Sequence, residues 1–119
     1  MAEAELRIVT LGVSSAGESR ARLRGALRGE PQGHHMTFAS HELMLKTLTT
    51  KRWEILRELV GAEAVSIREL ARRLGRDVKA VHADVHALLD AGVLDRTAER
   101  LIAFPYDRIH VEYEVGAAA

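Results

Sequence analysis

The chain has 119 residues, of which 47% are hydrophobic, enough for one core with at most a small appendage and too apolar for a disordered segment. Lysine plus arginine and aspartate plus glutamate both number 17, so bulk charge does not point to a polyanion partner and nucleic-acid binding would have to come from local clustering. Cysteine is absent, which excludes disulfides, thiolate metal sites and cysteine nucleophiles and fits a reducing compartment.

The acidic start, Met1 to Leu6, lacks the charged-then-apolar order of a signal peptide, and no apolar run reaches the ~18 residues of a membrane helix, so a cytoplasmic protein is expected. Leu6 to Val13 (LRIVTLGV) is β-branched and aliphatic on both faces and reads as a strand, central in its sheet. Ser15 and Glu18 have capping-box spacing and should open a helix to about Arg28, with Ala16, Leu23, Ala26 and Leu27 as a thin apolar stripe and Gly29 and Pro31 as the stop. His35 to Ala39 suggests a short strand. Ser40 and Thr49 are N-cap residues for helices over Glu42–Leu48 and Lys51–Val60, the second presenting Trp53, Leu56, Leu59 and Val60, with Ile55 flanking that face.

Signals sharpen from Ser66 onward. Ser66 and Glu69 repeat the capping-box spacing, and Ile67, Leu70, Ala71 and Leu74 follow the i, i+3, i+4, i+7 rhythm of one buried helical face. Gly75-Arg76-Asp77 is a turn in which Gly75 can be left-handed and Asp77 can cap the next helix, where Val78, Val81, Val85, Leu88 and Leu89 point inward until Gly92. Val93–Thr97 and Leu101–Phe104 read as strands joined by Ala98-Glu99-Arg100. Ile109, Val111, Tyr113 and Val115 alternate with His110, Glu112 and Glu114, the pattern of a half-buried strand, before a fraying tail from Gly116 to Ala119.

Helix, helix, short turn, helix, hairpin is the order of a winged helix-turn-helix. The expected fold class is therefore α+β, with a strand-helix-strand segment over 1–39, a winged helix-turn-helix domain over 40–105 and a C-terminal strand and tail over 106–119. The short helices are not stable alone and must share a core, which leaves one face of the last helix bare and able to fit a major groove. Once the inward positions are removed, Lys79, Ala80, His82, Ala83 and His86 remain on that face, with Arg76 in the preceding turn. Small Ala80 and Ala83 would allow close approach and contact with a thymine methyl, while Arg76, Lys79 and His82 could donate to base edges or phosphates. Arg96 and Arg100 flank the hairpin turn, and Lys51, Arg52, Arg68, Arg72 and Arg73 are candidate backbone contacts.

Three stretches resemble a prokaryotic family of DNA-binding regulators with a MarR-like winged helix. LTTKRWEILREL (Leu48–Leu59) is similar to its leading helix, SIRELARRLGRDVKAVHADVHALLDAGVL (Ser66–Leu94) to its helix-turn-helix, and FPYDRIHVEYEV (Phe104–Val115) to its ending. The N-terminal order of strand, helix, a Gly29-Glu30-Pro31 segment and Phe38 matches more loosely. Thr50 stands where the family pattern has proline, and the pair His34-His35 has no place in that pattern. Members are often predicted antitoxins, so the resemblance implies an antitoxin that binds its own operator and neutralises a small toxin encoded nearby.

The strands near the two termini would each leave an unpaired edge, and are expected to pair with each other or with copies in a second chain, giving a homodimer on double-stranded DNA; a monomer whose terminal strands form one intramolecular sheet is the alternative. A winged helix that binds only protein is the alternative, kept open by the neutral net charge. His82 and His86 are four apart, as in zinc-binding helices, but Ala83 stands where a catalytic Glu would be and no third ligand is spaced to join them, so no metal or other cofactor is expected. With no phosphate-binding loop, nucleophile elbow or cysteine, no catalytic residue and no enzyme activity are expected.

Overall fold

Residues 6–13, 16–29 and 33–116 are described by the computed structural model, which is mixed α+β. The elements in chain order are β1 (Ile8–Val13), α1 (Ala16–Leu27), β2 (His34–Phe38), α2 (His41–Thr47), α3 (Thr50–Leu59), α4 (Ile67–Leu74), α5 (Val78–Asp90), β3 (Asp95–Arg96), β4 (Ile102–Ala103) and β5 (Arg108–Glu112).

β1 lies at the centre of a three-stranded sheet ordered β2-β1-β5, with both pairings parallel. Parallel neighbours need a crossover. α1 supplies it between β1 and β2, and everything from α2 to β4 lies between β2 and β5. The segments at the two ends of the chain are thus one sheet, with Val9 opposite both His34 and Ile109, and Leu11 opposite both Met36 and Val111. Val9 and Leu11 are fully buried and join a single core with Phe38, Met44, Leu48 and the helices α3 to α5. The ends of the sheet are tied as well: the Arg7 N–H donates to Asp107 Oδ2 (2.9 Å), the Asp107 N–H donates to the Arg7 carbonyl (2.7 Å), and the Arg7 guanidinium lies 5.5 Å from the Tyr106 ring centre.

Gly12 is required by a close approach. A Cβ built on it would lie 2.2 Å from the Glu112 carbonyl oxygen in β5, so any side chain pushes β1 and β5 apart. Gly12→Ala is expected to cost about 1–3 kcal/mol, the usual penalty of forcing atoms into a packed site, read as a lower denaturant midpoint.

The helical part follows from its caps. Ser40, Thr49, Ser66 and Asp77 each accept a backbone N–H with the side chain, from Leu43 (3.1 Å), Arg52 (3.3 Å), Glu69 (3.1 Å) and Ala80 (3.2 Å) respectively, and so start α2, α3, α4 and α5. α4 stops at Gly75, whose φ of 65° is left-handed, and the Arg76 N–H returns to the Ala71 carbonyl (3.0 Å) to seal the end. One face of each of the last three helices fills the core: Ile55, Leu56 and Leu59 from α3, Leu70 and Ala71 from α4, Val81, Val85 and Leu88 from α5. β3 and β4 form an antiparallel hairpin, and Val65, just before α4, bridges to Ile102 in β4. Phe104 closes the core below the hairpin.

Several expectations need correction. Ile55 is fully buried and Trp53 only partly, so the buried face of α3 is centred on Ile55, Leu56 and Leu59. Val78 is 41% exposed, since the first residue of α5 borders an open groove beside α4 and is not inside the core. Leu23 and Leu27 form no buried stripe, at 60% and 79% exposed. The alternation in Ile109–Val115 gives a strand that ends at Glu112, and of its apolar residues only Ile109 is partly buried, because β5 is at the sheet edge. The Ser15 cap, the Pro31 stop and the end of the tail lie outside the described residues.

Candidate nucleic-acid interface

α5 is amphipathic around its axis, and its two faces are held by different means. Inside, Val81, Val85 and Leu88 are fully buried. Outside, Lys79, Ala80, His82 and Ala83 are exposed, with His86 half-buried beside them. The His82 and His86 rings lie 4.1 Å apart, tilted by 31°. Across residues 66–86 the cations Arg68, Arg72, Arg73, Arg76 and Lys79 outnumber the acids Glu69, Asp77 and Asp84, which is local basic clustering in a neutral chain.

Asp84 sits on the border between the two faces and fixes the geometry. Its Oδ1 accepts from Arg52 Nε (3.1 Å) and its Oδ2 from Arg76 Nη2 (2.7 Å). Arg52 also donates to the carbonyls of Lys46 (3.3 Å) and Thr47 (3.1 Å), and Arg76 to the carbonyl of Lys51 (3.3 Å). One carboxylate thereby joins the end of α2, the start of α3, the turn after α4 and the middle of α5. The three side chains are mostly enclosed, at 23%, 19% and 11% exposed for Arg52, Asp84 and Arg76. Burial pushes the Asp84 carboxyl upward, but the hydrogen bonds and fields of Arg76 and Arg52 together outweigh it and hold it below the ordinary carboxylate range.

This corrects two assignments. Arg76, expected to reach base edges or phosphates, is spent inside the protein on Asp84 and Lys51, and Arg52 on Asp84 and the α2 carbonyls. Asp84 belongs to neither the buried nor the exposed set that the helical spacing of α5 picks out. The signal that could have found it is an acid next to the buried Val81–Val85 stripe, with unpaired arginines in the preceding turn and on the facing helix.

Glu69 plays a similar part at the surface. It accepts from Arg72 at closest range and from Arg73 (3.3 Å), so both arginines are drawn along α4. Of the capping box, only the Ser66 half is made, because the Glu69 carboxylate turns to these arginines. The Arg72 hydrogen bond, opposed by desolvation and helped by Arg73, lowers the Glu69 pKa from 4.5 to about 2. In a carboxyl NMR titration Glu69 should therefore titrate near pH 2. The stability it contributes is present above pH 4.5 and fades as pH falls through about 2.

Arg68 is exposed in the first turn of α4 and, with Ser66, Arg72, Arg76 and Val78, lines a shallow groove between α4 and the start of α5. Arg96 and Arg100 are exposed at the hairpin, whose turn is set by the Arg100 N–H bonding the Thr97 carbonyl (2.9 Å) and the Leu101 N–H bonding Thr97 Oγ1 (3.0 Å). Arg100 takes a left-handed φ of 67° there. Lys51 is exposed next to the Arg76 contact. Lys51, Arg68, Lys79, Arg96 and Arg100 are thus exposed cations of this region, and Ala80, His82 and Ala83 are exposed on α5. Among the described residues no group of three or more His, Cys, Asp or Glu is placed to hold a metal ion, so His82 and His86 remain a pair. Nor is any helix of the described residues long and apolar enough to cross a membrane.

A comparison with curated proteins finds no match. A family model, HVO_A0114, matches residues 47–111, from the end of α2 into β5, and so takes in α3, α4, α5, the hairpin and every exposed cation named above. Since the match spans more than half of the chain, the protein belongs to the HVO_A0114 family.

Proposed function

We propose that the chain is a sequence-specific DNA-binding regulator of the winged helix-turn-helix type, with α5 as the helix that enters the major groove and the β3–β4 hairpin as the wing. The observation that carries this reading is the two-sidedness of α5: its inner face is sealed in the core while Lys79, Ala80, His82 and Ala83 stand open near its N-terminal half. That half is the part of such a helix that meets base edges. Two alanines let the helix axis come close to the groove floor, and Lys79 and His82 supply donors. Arg68 at the start of α4 and Arg96 and Arg100 on the wing have the chemistry for phosphates on either side.

With net charge zero, affinity must come from these few groups. Neutralising three phosphates, one each by Arg68, Arg96 and Arg100, predicts a log K against log salt slope of about −2.7 per protomer. Fluorescence anisotropy on duplex DNA, titrated with salt, measures it. Absence of binding even at low salt would leave the same fold as a protein-interaction module. Neutralisation of a small toxin belongs to the proposal as well and is supported by the resemblance described above. Co-purification with the product of a short adjacent reading frame is the expected result.

A further inference from the structure

The free edge of β5 is self-complementary, and we infer that two copies of the chain pair through it, antiparallel, about a two-fold axis at His110. The inference is independent of whether the protein binds DNA. It starts from which backbone groups face outward. The Arg108 N–H donates to the Arg7 carbonyl (3.3 Å), and the Glu112 carbonyl faces Gly12, so Arg108 and Glu112 both turn their backbone groups toward β1. By the alternation of a strand, the N–H and C=O groups of Ile109 and Val111 point away from the sheet. Among the described residues no strand takes them up.

An antiparallel copy centred on His110 satisfies those groups and matches every side chain. Ile109 and Val111 of one copy oppose Val111 and Ile109 of the other as hydrogen-bonded pairs, apolar on apolar. Arg108 opposes Glu112 and Glu112 opposes Arg108, giving two equivalent ion pairs between opposite charges. His110 faces its own copy in a non-hydrogen-bonded pair, where Cα atoms approach to about 4.5 Å. Arg108, His110, Val111 and Glu112 are all exposed, and the weak His110–Glu112 contact (3.5 Å) within one chain can be exchanged without breaking the core. The opposite edge of the sheet, β2, reads HHMTF and has no charged pair to offer a copy of itself. Pairing at β5 makes one six-stranded sheet, β2-β1-β5-β5-β1-β2, from two chains.

The absence of cysteine makes the test clean. The full chain carrying His110→Cys should form a disulfide-linked dimer under mild oxidation, because the expected Cα separation falls in the range a disulfide spans. Ile109→Cys, whose nearest copy is displaced along the strands, should not. Light scattering of the unmutated chain should give a dimer. Glu112→Arg should weaken it by roughly tenfold or more, since both ion pairs become repulsions, and Arg108→Glu with Glu112→Arg should restore it by exchanging the signs. A monomer at every concentration, equal crosslinking at positions 109 and 110, or no rescue by the double exchange would each overturn the inference.

Discussion

Asp84→Ala is expected to destabilise the protein by about 2–4 kcal/mol, somewhat under the cost of breaking a fully buried ion pair because the three side chains keep some solvent contact. The loss comes from stranding two guanidinium groups, Arg52 and Arg76, each mostly enclosed. Urea denaturation measures it, and a double-mutant cycle of Asp84→Ala with Arg76→Ala should show strong coupling, since the second change removes a charge that the first left unpaired. A cost under about 0.5 kcal/mol, the size of an ordinary surface change, would mean that the clamp does not hold the helices. The effect also has a pH signature. The Asp84 pKa is lowered on folding, so its contribution is fully present above the ordinary aspartate value of 3.8 and disappears as pH falls through the depressed folded value. The stability gap between wild type and Asp84→Ala should accordingly close in acid.

The second large effect concerns DNA. Lys79→Glu combined with Arg100→Glu is expected to reduce duplex affinity about 100-fold or more, because two contacts on α5 and the hairpin turn from attraction to repulsion, while the thermal midpoint stays where it is. Both side chains are exposed and make no contact that the fold needs. Arg76→Ala provides the contrast: weaker DNA binding accompanied by a fall in stability, because Arg76 acts by holding α5 in place. If Arg76→Ala lowered affinity with no loss of stability, Arg76 would be a direct contact after all. Unchanged affinity in Lys79→Glu/Arg100→Glu would remove the outer face of α5 from the interface.

The parts of the fold legible in the sequence were those specified locally. Ser66, Gly75 and Asp77 cap helices where their side chains or backbone require it, and the Ile67–Leu74 and Val81–Leu88 spacings give the buried faces correctly. The strand near each terminus could also be read, but whether they pair with each other or with a second copy stayed open, as did the parallel direction and the third partner, β2. Burial was the weaker inference. Leu23 and Leu27 have helical spacing and Val111 and Tyr113 have strand spacing, yet each is exposed, because periodicity says which residues share a face and not whether anything covers it. The same limit explains Arg76. Composition marks it only as a cation in the turn before α5. Only the fold brings Asp84, eight positions on, within 2.7 Å of it.

The sheet joins strands from opposite ends of the chain, with Arg7 bonded to Asp107 across a separation of 100 residues. During synthesis β1 therefore waits for its partner β5 for about 5–20 s at ordinary ribosomal rates. Val9 and Leu11 spend that interval without the covering that the finished molecule gives them. The helices, whose contacts are closer in sequence, can assemble first, and closure of the sheet must wait until β5 has left the ribosome.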